Sequence, residues 1–215
     1  MKKHLLSISL FIYTLGAFAQ NESLSDEFNR TCTLNDWQDL NVTEGWNATH
    51  MESIDINNSM DGHLNMMPYT TAWFQDRRSN LYYKEVTGNF IFTTHVSATN
   101  RAETDHPGAS YSLAGAMIRT PKPITDAHTQ WQSGLENYVF LSLGNAAPNC
   151  PGSCLAPHFE VKSTTNSNSN LNISDIDTAA ATIRIIRINQ AILVLHQVAG
   201  QNYHVRQRYN RADMP

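Results

Sequence analysis

The sequence predicts an all-β, antiparallel fold of the sandwich or barrel kind. Three observations point to it. Residues 90–98 alternate with period two, and in 136–143 Val139, Leu141 and Leu143 face one way while Tyr138, Phe140 and Ser142 face the other. Clusters of Gly, Asn, Asp and Ser recur at short intervals and separate about ten strands. No segment carries the 3.6-residue period of an amphipathic helix, and no internal repeat stands out.

The chain has 215 residues, and the first nineteen are read as a Sec-type signal peptide. Lys2 and Lys3 precede an apolar run over 5–18, and Ala17-Phe-Ala19 supplies small residues for cleavage before Gln20. The run is too short and wrongly flanked for a spanning helix, and no later segment has the roughly 20 apolar residues a crossing needs. The style of the leader is bacterial. The expected protein is therefore exported (secreted, periplasmic or at the cell surface), with one domain over 20–215. A formal net charge of −4 and the lack of a basic run argue against a nucleic-acid partner.

Residues 21–42 read as a short strand followed by a loop that buries Trp37, with Phe28 and Leu34 as further anchors. Residues 51–56 and 63–67 form a hairpin around the turn formers of 57–62. Trp73 and Phe74 precede a polar loop. Residues 81–90 and 91–98 read as two strands pivoting on Gly88-Asn89. With a third at 111–119, they are the expected nucleus of the fold. Along 90–98, Phe90, Phe92, Thr94, Val96 and Ala98 share a face. Residues 136–143 form a long strand with Val139, Leu141 and Leu143 facing one way, and 158–162 form another. The Ser/Thr/Asn-rich stretch 163–170 is expected as a flexible loop. Residues 181–188, 191–198 and 202–209 form a meander with turns at Asn189-Gln190 and Ala199-Gly-Gln201. The chain stops at Pro215 as a polar loop begins, so one or two further strands are expected beyond it.

With these residues placed, the chain resembles the concanavalin A-like lectin/glucanase superfamily. It looks most like the exported bacterial modules of that group that are left as domains of unknown function. The resemblance rests on Ser25-Asp-Glu-Phe28 with Trp37, on Trp73 before the 81–90 stretch, on Ala114-Gly-Ala-Met-Ile-Arg119, and on the meander. It implies two packed, curved antiparallel sheets in a jelly-roll sandwich. The concave sheet of such folds often bears a glycan site, and members usually carry more strand after the point where this chain stops. Fold alone does not confer a function.

Three functions remain open: a non-catalytic glycan-binding module, a glycoside hydrolase of the same fold, and a structural or adhesion domain. Hydrolysis needs two carboxylates about 5–10 Å apart. The glucanase-type strand, Glu-x-Asp-x-x-Glu or Glu-x-Asp-x-Glu, is missing, so no catalytic residue is assigned. Glu136 and Glu160 are single carboxylates on separate strands, and Asp175 and Asp177 sit in what reads as a polar loop. A lectin-like face needs rings for sugar C–H surfaces and planar polar groups for hydroxyls. Strand parity selects His95, Arg119, Tyr138, His158 and Glu160, with Trp131 as a stacking platform in a neighbouring loop. The same residues also fit an ordinary solvated sheet face. Trp37, Trp46 and Trp73 are assigned to the core or its rim.

No cofactor is required by this reading, but calcium is weighed. Asp55, Asn57, Ser59 and Asp61 place oxygen side chains at alternate positions, which resembles the first half of a calcium loop. The pattern fails at Met60, where Gly is needed, and at Met66, where a bidentate Glu is needed. An Asn-rich turn explains the same residues. Cys150 and Cys154 enclose a turn and fit a short-loop disulfide in an exported protein, with a metal pair as the alternative. Cys32 is left over, either buried and free or paired outside this chain. The remaining histidines do not cluster at ligand spacing, and no Gly-x-Ser-x-Gly elbow occurs.

Overall fold

The computed structural model describes residues 24–45, 50–121, 134–146 and 157–214. The expected signal peptide, Trp46, His128, Trp131, Cys150 and Cys154 all lie outside the described residues. Within them the fold is all-β. Twelve strands run in chain order: β1 (Gln38–Asp39), β2 (Met51–Ile56), β3 (Leu64–Pro68), β4 (Tyr82–Tyr83), β5 (Phe90–Ser97), β6 (Ser112–Arg119), β7 (Tyr138–Asn145), β8 (His158–Thr165), β9 (Asn168–Asp175), β10 (Ala180–Ile188), β11 (Ala191–Gln197) and β12 (His204–Asn210). Helical structure is confined to short pieces, including a 3-10 turn at Thr31–Asp36 and one α-turn, α1 (Leu40–Thr43).

Two four-stranded antiparallel sheets form a β-sandwich, one in the order β6-β7-β8-β9 and the other in the order β12-β11-β10-β5. Their facing sides hold one core. Val139, Leu141 and Leu143 of β7 and Phe159 and Val161 of β8 pack against Ala181, Ile183 and Ile185 of β10 and Ile192 and Val194 of β11. The predicted alternation in β7, shared by β10, is what makes this possible, since period-two strands turn one complete apolar set inward. The 90–98 alternation also holds, with Phe92 and Val96 packed on the core.

Four local expectations are corrected. Of residues 81–89 only Tyr82–Tyr83 is strand, and it pairs with Gln38–Asp39 rather than with β5. Residues 90–98 and 111–119 do not form one nucleus: β5 is an edge of one sheet and β6 an edge of the other. β5 finds its partner far along the chain, in β10, while β6 pairs with β7, the next strand. Residues 163–170 are not a flexible loop but the end of β8, a two-residue turn and the start of β9. Asn166 and Ser167 have φ of 46° and 64°, the left-handed pair a tight hairpin turn needs. Residues 31–36, expected within a strand and loop, form the 3-10 turn.

Candidate functional site

Polar residues are buried on the outer side of the β6–β9 sheet, the side turned away from the core. Strand alternation brings Arg119 of β6, Tyr138, Phe140 and Ser142 of β7, and His158, Glu160, Lys162 and Thr164 of β8 to this side. The cross-strand register sets Ser142 beside Glu160, Phe140 beside Lys162 and Tyr138 beside Thr164. An outer face open to water would show these side chains exposed. Tyr138, Glu160 and Thr164 are instead 0–1% exposed.

Part of the cover is a strap, residues 69–80. Trp73 meets the Tyr138 ring edge-on at 5.6 Å. Lys162 Nζ donates to the Trp73 carbonyl at 3.0 Å, and the Tyr138 hydroxyl donates to the Gln75 carbonyl at 3.3 Å. The Gln75 amide donates to Ser169 Oγ at 3.3 Å. Phe140 stacks parallel to Tyr138, and Lys162 lies 5.1 Å above the Phe140 ring. Trp73 is thus packing, as its type suggested, but it packs on the outside of a sheet rather than in the core.

Two glutamates on this side have different surroundings. Glu136 belongs to a closed quartet with Arg78, Arg119 and Glu44. Its carboxylate accepts from Arg78 Nε at 2.7 Å and from Arg119 Nε at 2.9 Å. Arg119 Nη1 also reaches Glu44 at 2.6 Å, and Arg78 Nη1 pairs with the same carboxylate. Two cations and two anions balance, so the buried group is neutral and well donated. Burial opposes the charge on Arg119, but Glu136 and Glu44 outweigh it and hold its pKa above the ordinary value.

Glu160 has less. One oxygen meets Lys162 Nζ at 3.0 Å, and Oε2 has no hydrogen-bond partner among the described residues. Ser142 Oγ, directly across the strand pair, is also buried without a partner among the described residues, as is His158 Nδ1. His158 Nε2 lies 3.6 Å from the exposed Asp175 carboxylate. Burial raises the Glu160 carboxyl pKa, and Lys162 offsets only part of that rise.

The sequence-predicted set therefore divides. Tyr138, His158, Glu160 and Arg119 do share one sheet face. Arg119 is committed to the quartet and Tyr138 lies under the strap, so neither is an open contact residue. His95 lies on β5 of the other sheet, near Thr182 Oγ1 at 3.4 Å, and is not part of this face. Glu136 and Glu160 do not converge. Ser142, the neighbour of Glu160, stands six residues past Glu136 along the chain, roughly 20 Å at strand rise. That exceeds the separation of paired glycosidase carboxylates.

The Asp55–Asp61 stretch closes on itself. Asp55 accepts from the Asn58 and Ser59 amides at 3.2 and 2.9 Å and from Ser59 Oγ at 2.6 Å. Asn57 Oδ1 accepts from the Gly62 amide at 2.7 Å. These bonds build the β2–β3 turn. Among the described residues no group of three His, Cys, Asp or Glu side chains is placed to hold a metal ion. Cys32 is a free thiol that is exposed rather than buried as expected. Asp175 ends β9 rather than lying in a loop.

Sequence reasoning missed Ser142, Lys162, Phe140 and the strap. Phe140 and Ser142 share parity with Tyr138, and Lys162 with Glu160. The missing signal was that this side is covered. No helix among the described residues is long and apolar enough to cross a membrane. Compared with known proteins, the chain matches no family model, no curated protein and no solved structure.

Proposed function

We propose that this chain is an exported, non-catalytic carbohydrate-binding module of the concanavalin A-like, jelly-roll type. Its glycan site is the outer side of the β6–β9 sheet around Ser142, His158 and Glu160. The observation that carries the reading is the set of buried, unpartnered acceptors and donors on adjacent strands, Ser142 Oγ, Glu160 Oε2 and His158 Nδ1, next to the Phe140 ring. Native proteins rarely leave such atoms unpaired. A hydroxyl, an imidazole and a carboxyl suit the hydroxyls along a sugar's rim, with the buried Phe140 ring packed beneath Lys162 next to them.

A glycoside hydrolase is the second reading. It draws on the raised pKa of Glu160, which suits a proton donor. It is weaker because Glu136 is held by two arginines and lies too far along the strand to act as the second carboxylate.

The test is a polysaccharide and glycan array probed with the mature protein, with and without calcium, while released reducing ends are assayed in the same samples. Binding without release, weakened at least tenfold by Ser142→Ala and by Glu160→Gln, is the expected result. Release of reducing ends would replace the module reading with the enzyme. A folded protein silent in both assays would overturn both and leave a structural or adhesion role.

A further inference from the structure

We propose that the open edge of the sandwich between β9 and β12 is a binding site for a small oxyanion, a carboxylate, sulfate or phosphate group, held by the Arg206 guanidinium with the His196 and His204 rings. The site lies on the inner side of the sheets and is independent of the outer face discussed above.

The geometry starts from a β-bulge. The β11–β12 register shifts between Val194 and Leu195, whose partners are Gln207 and Val205, so Arg206 is the extra residue. A bulge re-aims a side chain, and here Arg206 turns toward the other sheet. Its Nη2 donates to Ser174 Oγ of β9, and its guanidinium lies 5.5 Å over the Phe159 ring. His196 and His204 are directly paired across β11 and β12. Their rings stack at 5.5 Å, and His196 meets Phe159 at 4.3 Å in a tilted contact. The order is a ring ladder from the core through His196, which is 8% exposed, to the solvent-facing His204.

The cluster has a spare, buried donor in Arg206 Nε–H, an unpartnered, buried ring nitrogen in His196 Nδ1, and no anion among the described residues. No carboxylate pairs with Arg206, His196 or His204 among the described residues. Asp175, the nearest acid in sequence to Ser174, turns to the outer side beside His158. Burial, Arg206 and His204 together push the His196 pKa down to about 4, so the ring repels a proton for want of a counter-charge. Arg206 is likewise lowered by burial alone. A bound oxyanion would accept from Arg206 Nε and from the rings and reverse the field that depresses His196.

The experiment is a proton NMR titration of the histidine ring signals with sodium sulfate, phosphate, acetate and glucuronate. Sodium chloride holds the ionic strength constant. Saturable shifts of His196 and His204 are expected, with a dissociation constant of roughly 1–10 mM for so small a ligand. The His196 titration midpoint should move upward in sulfate. Arg206→Gln should weaken binding at least tenfold and Arg206→Lys several-fold, while Arg208→Gln on the exposed side of β12 should change nothing. If the Arg206 variants fail to fold, the wild-type midpoint decides. An unchanged midpoint, or an equal response to chloride alone, overturns the proposal. Preference for sulfate and phosphate over acetate and glucuronate would identify a doubly charged group as the ligand; the reverse would identify a carboxylate.

Discussion

Glu136 and Glu160 are both almost wholly buried on the same side of the same sheet, yet their surroundings are opposite. Glu136 receives two arginines and sits in a neutral ring of charges. Glu160 receives one lysine and keeps a bare oxygen. A buried charge whose donors are complete is a fastening. A buried charge left half-donated costs free energy that the fold does not recover by itself. The comparison teaches which buried carboxylate to look at for function, and burial alone would not have told them apart.

The sharpest way to break the comparison is at the quartet. Arg119→Ala should cost about 3–5 kcal/mol, because Glu136 and Glu44 would then share one arginine in a buried setting. Equilibrium urea unfolding measures this, and a loss near zero would show that the quartet is not holding the structure. Next comes Gly115→Ala, one strand over from Ser142. A Cβ there would meet the Leu141 carbonyl oxygen and approach Ser142 Cα to 2.6 Å. Overpacking of this kind costs roughly 1–3 kcal/mol, read in the same unfolding series. Glu160→Gln should cost less than either, about 1 kcal/mol, since an amide avoids the desolvation of a carboxylate while Lys162 keeps its bond to Trp73. A cost equal to that of Arg119→Ala would erase the distinction.

Acid and base act on the two half-satisfied groups in opposite directions. The folded pKa of His196, about 4, lies below the ordinary 6.5. As pH falls through that interval the unfolded chain binds the proton first, so stability present above pH 6.5 is lost toward pH 4. The folded pKa of Glu160 is raised above the ordinary 4.5. The folded chain holds that proton longer, so its contribution is fullest below 4.5 and is lost as pH rises through the folded value. Urea midpoints across pH should show the loss below pH 6.5 shrinking in His196→Gln and the loss on raising the pH above 4.5 shrinking in Glu160→Gln. The smallest effect belongs to the other sheet's solvated side. His95→Ala should stay within about 0.5 kcal/mol and leave glycan binding unchanged.

The sequence made the strand faces legible where one side packs on the core. Val139, Leu141 and Leu143 were placed correctly by alternation alone, as were Phe92 and Val96. It did not show which sheet a strand joins, because β5 finds β10 some ninety residues later and no local pattern encodes that meeting. The turn at Asn166-Ser167 was hidden by a polar composition that reads equally as loop or as solvent-edge hairpin. At the site, parity put Glu160, His158 and Tyr138 together, but it could not see the strap. That is why Tyr138 looked like a contact residue when it is a packed one. The quartet was invisible for the same reason: Glu44, Arg78, Arg119 and Glu136 come from distant stretches and meet only when the outer face is covered.

The strap itself has a consequence for how this protein can change over generations. Trp73 and Gln75 are held through their main-chain carbonyls, by Lys162 and Tyr138 on the sheet. Every residue type has that oxygen, so these two bonds do not depend on what the strap's side chains are. Side-chain constraints on the strap fall mainly on the Trp73 ring, the Arg78 ion pairs and the Asn80 amide, which donates to the His50 carbonyl; at its remaining positions the sequence has more room to drift while the course stays fixed. The segment beside the candidate site is thus a place where lineages, or a designer with a randomised library, can vary recognition without redrawing the scaffold.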